Sequence, residues 1–238
     1  NNAHNLEKSI PNEVSLNNIN FKRGLNVFYD IKAFFVTLFF LIKIRPNISI
    51  SFTPKIGLIV AVASFIVRVP KRIHWFTGQI WATKKGLSKQ FYKFIDKIIF
   101  YLSHILLVDS ISQRNFLIKE NVISSNKSTV IHKGSVGGVD TKKFIFNKKK
   151  RNQMRNEYLI PKDSFIFLYL GRINKEKGII ELIKAFKKIE KNKKVLLIFV
   201  GTIEDKKIIY YFKNNKKILN FKHSKKPQDW FSMADILC

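Results

Sequence analysis

Cysteine is almost absent from this chain: of 238 residues only the last, Cys238, carries a thiol. One thiol closes no internal disulfide and builds no cysteine metal site, and a reducing compartment suits it. Acidic residues are scarce as well, 16 against 44 Lys and Arg, which leaves a formal charge of +28. Within that excess arginine is rare, 8 of the 44. Base-reading proteins favour arginine for its bidentate fork, so no nucleic-acid partner is expected. The lysines read as a solvated surface or as an attraction for anionic lipid headgroups. They are spread along the chain, +12 over residues 1–141 and +16 over residues 142–238, and not held in one tail. Long apolar runs are missing too. The longest, Ala33 to Ile42, is interrupted by Thr37 and soon followed by Pro46, short of the ~20 residues that a membrane span needs. The five histidines are scattered without ligand spacing, so no metal is expected.

What is present is enough apolar material, 46% of residues, to build a real core. Its spacing alternates between strand and helix. The pattern predicts a short strand at Glu13–Leu16, a well-buried helix at Val27–Ile44 and a strand at Ile48–Phe52. A helix at Gly57–Val67, a strand at Arg72–Phe76 and a helix at Ser88–Leu102 follow. Next come a strand at Ile105–Val108, a helix at Ser112–Glu120 capped by Asp109 and Ser110, and a strand at Ser128–His132. Asn147 to Arg155 is basic and polar, and the boundary between two domains is placed there, giving 1–150 and 151–238. Strand and helix then resume at Phe165, with further strands at Val195–Val200 and Ile218–Phe221 and helices near Lys206 and Gln228. This is the pattern of an α/β chain with two Rossmann-like, doubly wound parallel sheets. His104 and His132, in or beside apolar strands, read as core histidines.

The second half is organised around Phe165 to Leu170, six apolar residues ending at Gly171-Arg172. Lys177-Gly178 follows, and then a helical stripe of Ile179, Ile180, Leu182, Ile183 and Phe186. Loops at the carboxyl ends of parallel strands are where ligands sit. A helix amino terminus beside two cations suits a phosphate. Arg172 and Lys177 are therefore the candidate catalytic pair.

The order of these pieces resembles the GT-B glycosyltransferases of family 4, in particular the branch that assembles capsule, O-antigen and other surface polysaccharides. The resemblance is carried by Gly171-Arg172, Lys177-Gly178 and Phe199-Val200-Gly201. It continues in Gly134 to Asp140 with Phe144, Arg45-Pro46, Thr53-Pro54, Trp75 to Gln79, Pro227 and Met233-Ala234-Asp235. Thr77 stands where many relatives have histidine before glycine. The resemblance implies a retaining transfer of a sugar from a nucleotide-sugar to a lipid-linked glycan, without cofactor or metal. It also implies work at the inner face of the cytoplasmic membrane, peripheral to an anionic surface. It makes Gly171, Gly178 and Gly201 donor-binding residues. Thr53, Thr77, Gly78 and Gln79, which follow strands, are assigned to the acceptor. On this reading the chain is truncated at both ends, lacking an opening strand and a downstream glutamate pair. A non-catalytic nucleotide- or sugar-binding module of the same fold is the alternative. Trp81 is open between sugar stacking, membrane insertion and packing.

Overall fold

The computed structural model describes residues 11, 13–19, 26–191, 194–213 and 215–238. The chain divides after Gly138 into two compact units.

In the first unit, α1 (Val27–Ile44) starts at Asn26, whose side chain accepts a hydrogen bond from the Tyr29 amide at 3.2 Å. It ends where Arg45 turns left-handed ahead of Pro46. Then come β1 (Ile48–Phe52), α2 (Pro54–Ile66), β2 (Lys71–Phe76), a 3-10 turn (Ile80–Thr83), α3 (Gly86–Leu102), β3 (Ile105–Val108), α4 (Ile111–Lys119) and β4 (Ser128–Thr129). The four strands are parallel, in the order β1-β2-β3-β4. Phe76, Trp81, Ile99, Leu106, Val108, Leu117, Val122 and Ile123 form the core.

Four expectations change here. Glu13–Leu16 is no strand; Val14 and Leu16 are about half exposed and pair with no sheet among the described residues. Helix α1 is not well buried. It packs on α2 and buries only Ala33, Thr37 and Leu41, leaving Phe28 76% and Phe39 65% exposed. An all-round apolar helix needs neighbours all round, and the described residues supply one side. The strand expected to reach His132 stops at Thr129. His104 and His132 are exposed; His104 faces the Arg72 guanidinium, with its Nε2 3.2 Å from Arg72 Nη2. The core histidine is His74, fully buried, with Nδ1 2.8 Å from Ser51 Oγ. Burial pushes its pKa down to about 4, and a side chain on Gly57 would overlap its ring.

Trp81 resolves to packing. It is 1% exposed, its indole N–H donates to Asp96 Oδ2 at 2.7 Å, and Phe116 stacks on it at 5.3 Å. This contact ties the turn after β2 to α3.

The second unit begins with a helix that the sequence does not announce. The stretch read as a polar boundary is α5 (Lys148–Glu157), capped by Asn147, whose Oδ1 accepts from the Lys150 amide at 2.9 Å. Its buried face is Met154 and Arg155. The Arg151 and Arg155 guanidinium groups, one helical turn apart, both donate to Asp235, at 2.6 and 3.0 Å. Asp235 Oδ2 also accepts from the Ile166 amide at 2.7 Å. The unit boundary therefore precedes α5, at Gly138, because α5 packs within the second unit rather than linking two. The remaining elements are β5 (Phe165–Leu170), a 3-10 turn (Lys175–Lys177), α6 (Ile179–Ile189), β6 (Val195–Val200), a 3-10 turn (Lys206–Ile208), α7 (Ile209–Lys213), β7 (Ile218–Phe221), α8 (Pro227–Met233) and β8 (Ile236–Leu237). The sheet is parallel, ordered β7-β6-β5-β8. Side chains alternate across it. Ile166, Leu168, Ile198 and Val200 join Met154, Trp230 and Met233 on one face. Leu197 and Phe199 join Ile179, Ile183, Phe186 and Ile208 on the other.

Asp96 gives this fold a pH signature. Burial raises its carboxyl from 3.8 to about 6, and the Trp81 hydrogen bond only partly opposes that. The folded state thus holds this proton more tightly than the unfolded chain. Its contribution to stability falls as pH rises from about 4 to about 6, by roughly 2–3 kcal/mol in all. Asp96→Asn keeps an acceptor for Trp81 and should flatten that part of the profile in urea unfolding; identical profiles for the two proteins would contradict the assignment.

Candidate functional site

Sheet order locates the site. From β5 the chain adds β6 and β7 on one side and then returns to add β8 on the other. The reversal lies between β5 and β8, and in open parallel sheets ligands bind outside the carboxyl ends at such a reversal. The first sheet adds its four described strands in one direction and shows no reversal.

The loop leaving β5 carries Gly171, Arg172, Asn174, Lys177 and Gly178. Backbone pairing fixes it well past the strand. Gly171 N donates to Val200 O at 3.0 Å, Ile173 N to Thr202 O at 2.9 Å, and Glu204 N to Ile173 O at 3.0 Å. Ile173 and Ile203 form an isolated parallel bridge, and Ile173 is fully buried. Gly201 lies so close to Gly171 that any Cβ on it would overlap the Gly171 carbonyl oxygen. A glycine is therefore required there by the two neighbouring loops themselves. Gly178 is required differently: at φ +71° it is left-handed, closing the 3-10 turn and opening α6. No side chain caps α6, so its first backbone N–H groups are left for another acceptor.

Side chains complete the loop. The Tyr169 hydroxyl donates to Arg172 O at 2.9 Å, and Asn174 Oδ1 accepts from Lys177 N at 3.2 Å. Arg172 and Lys177 are both exposed. The Arg172 guanidinium sits 3.5 Å from Glu204 Oε1, and Glu204 Oε2 accepts from Asn174 Nδ2 at 2.8 Å. From sequence Glu204 and Asp205 read as helix caps, with ribose contact as the alternative; Glu204 joins the two loops, while Asp205 Oδ1 accepts from the Lys207 amide at 3.0 Å. Among the described residues no group of three or more His, Cys, Asp or Glu could hold a metal.

The comparisons bear on this half of the chain first. Residues 150–238 match the family described as Glycosyl transferases group 1. The chain as a whole is 31% identical over 235 residues to the capsular polysaccharide biosynthesis glycosyltransferase CapM of Staphylococcus aureus, covering 96% of this chain and 61% of CapM. It spans, then, about three fifths of that relative's length. Among solved structures it resembles WaaG, a glycosyltransferase involved in lipopolysaccharide biosynthesis, with TM-score 0.72, 14% identity, and 96% and 62% of the two chains covered. It also resembles Anabaena HepE in complex with UDP-glucose, with TM-score 0.70, 14% identity, and coverage of 86% and 55%. The fold is GT-B, as the sequence motifs imply.

The second unit gathers Gly171, Arg172, Lys177, Gly178 and Gly201 just beyond the carboxyl ends of its two central strands, β5 and β6. The candidate acceptor residues lie in the other unit. Thr53 and Thr77 follow neighbouring strands that are in register at Phe52 and Trp75. Thr53, Thr77 and Gly78 are exposed. Thr53 is held at φ +66°, a rare conformation for a β-branched residue. Gln79 Oε1 accepts from Gln113 Nε2 at 3.0 Å, and its buried amide nitrogen has no hydrogen-bond partner among the described residues. Beside them Asp109 is not the expected helix cap, which is Ser110 alone; Asp109 Oδ1 accepts from Trp75 Nε1 at 2.9 Å. Sequence reasoning missed Asn174, Tyr169 and the role of Glu204. The only sequence signal was the Tyr–Leu–Gly–Arg–Ile–Asn run itself.

Gly201→Ala should cost about 1–3 kcal/mol in denaturant unfolding by forcing β5 and β6 apart beyond their strands. An unchanged midpoint would show that the two loops are not in contact.

Proposed function

We propose that the complete protein is a retaining glycosyltransferase that moves a sugar from a nucleotide-sugar onto a lipid-linked glycan during surface-polysaccharide assembly. The observation that carries this reading is Arg172, placed on the loop that leaves β5 beside the strand-order reversal, at the mouth of an uncapped helix. The relatives supply the chemical class: CapM makes capsular polysaccharide by name, and HepE is seen with UDP-glucose. Retention, the lipid-linked acceptor and metal independence are the properties of the family-4 enzymes that the motifs resemble.

The chemistry asked of these residues is electrostatic. As the bond between the anomeric carbon and the phosphate oxygen breaks, the departing nucleoside diphosphate gains negative charge. Fixed cations and backbone N–H groups aimed at that charge lower the barrier more than they favour the ground state. Arg172 would fork onto phosphate oxygens and Lys177 would add a point charge. The first amides of α6 would complete the cradle. Gly171 and Gly201 keep the two loop backbones close below it. Thr53, Thr77, Gly78 and Gln79 are proposed to meet the acceptor. The unusual backbone of Thr53 and the orphan amide of Gln79 support that, because such strain and unmet polarity gather at functional sites.

We also place the protein peripheral to the cytoplasmic face of an anionic membrane. No helix among the described residues is long and apolar enough to cross one. Support comes from α1, which exposes Phe28, Ile31, Phe35, Phe39 and Ile42 at helical spacing in a strongly basic chain.

Two measurements test these readings. In turnover assays that follow UDP release from UDP-sugars with a lipid-linked acceptor, Arg172→Ala should lower kcat at least tenfold, about 1.4 kcal/mol of barrier. A smaller loss would remove Arg172 from the mechanism. In sedimentation, the protein should pellet with anionic liposomes at low salt and be released as salt rises; no binding at low salt would remove the membrane assignment and leave the transfer chemistry standing.

A further inference from the structure

We infer that Glu204 is a stand-in for the donor phosphate, holding Arg172 in place in the free protein and giving it up when the diphosphate arrives. The inference rests on the reading of the β5–α6 loop as a diphosphate cradle.

The geometry has three parts. Glu204 is anchored by its backbone, since its amide donates to Ile173 O at 3.0 Å. Its carboxylate meets two groups of the β5–α6 loop, Oε2 on Asn174 Nδ2 at 2.8 Å and Oε1 on Arg172 Nη1 at 3.5 Å. Asn174 in turn fixes the turn that carries Lys177 through its bond to Lys177 N. One carboxylate from the β6–α7 loop therefore touches both the arginine and the residue that seats the lysine.

The two contacts differ in strength. The Asn174 bond is short and braces the loop. The Arg172 contact is long, monodentate and open to solvent, with the arginine side chain 55% exposed and the glutamate 31%. Such a pair is weak enough to exchange, because exposed ion pairs contribute little. A diphosphate offers the guanidinium a bidentate partner of higher charge. Exchange leaves Glu204 still bonded to Asn174, so the loop keeps its shape while Arg172 turns to its ligand. The same competition runs in reverse after transfer, when Glu204 can reclaim Arg172 and help the nucleoside diphosphate depart. Glu204 is a positioning residue on this account and touches no reacting atom.

UDP binding by calorimetry, on the complete protein, tests this directly. Glu204→Gln keeps an acceptor for Asn174 and removes the competing charge, so UDP should bind about three- to fivefold tighter. That gain should vanish in the Arg172→Ala background, since a pair that acts through Arg172 must show coupling in a double-mutant cycle. It should also shrink at high salt, where the wild-type pair is already screened. A purely structural Glu204 would instead bind UDP more weakly as Gln, with no dependence on Arg172. If Arg172→Ala weakens UDP binding but Glu204→Gln does not strengthen it, the inference fails and the cradle stands. If Arg172→Ala leaves UDP binding unchanged, the cradle itself fails, and the inference with it.

Discussion

Everything at the candidate site depends on two neighbouring strands that do not separate where their strands end. β5 and β6 stay hydrogen-bonded through Gly171, Ile173 and Glu204, and the contact of Gly201 with the Gly171 carbonyl leaves no room for a side chain between them. Loops at the end of a sheet usually gain freedom. Here two consecutive loops are one braced unit, with buried Ile173 as its pin. The cations above are thereby presented from a braced base, which the proposed electrostatic stabilisation of a departing anion would require.

The two units solve the burial of polar groups differently. In the first, single contacts bind element to element: Trp81 to Asp96, Ser51 to His74, Trp75 to Asp109. Two of these leave a buried atom without a partner among the described residues, Asp96 Oδ1 and His74 Nε2. In the second, one carboxylate is shared by two guanidinium groups and a backbone amide, with further arginine bonds to the carbonyls of Met233, Ala234, Lys162 and Ser164. That network is nearly saturated, the condition under which a buried charge is tolerable.

Most of the architecture was legible in the sequence because the apolar periods are clean. β5, β6 and β7 begin and end where their apolar runs do, and α1 and α6 follow from helical spacing. Helix α5 was hidden because its buried face is chemically unusual. One methionine and two arginines do the packing, and arginine reads as surface until Asp235 appears about eighty residues later. The exposure of α1 was hidden for the opposite reason. Its apolar residues state what the helix would bury, not whether a neighbour is present. At the site, the glycines and cations could be picked out by their setting after a strand. Glu204 could not, since its contact with Arg172 spans 32 residues and depends on how two loops are paired.

The clasp of Arg151 and Arg155 on Asp235 sets an order for the birth of the second unit. Arg155 and Asp235 are 80 positions apart. At about 5–20 residues per second, the ribosome delivers the aspartate some 4–16 seconds after the arginines. For that interval Arg151 and Arg155 lack the carboxylate they share, and Phe167 and Leu168 of β5 lack the strand that pairs with them. An edge of this kind invites pairing with other chains. The nascent unit therefore passes through a stage in which two arginines of one helix lack their shared carboxylate and one strand is unguarded, and it leaves that stage only when Asp235 and then β8 emerge from the tunnel.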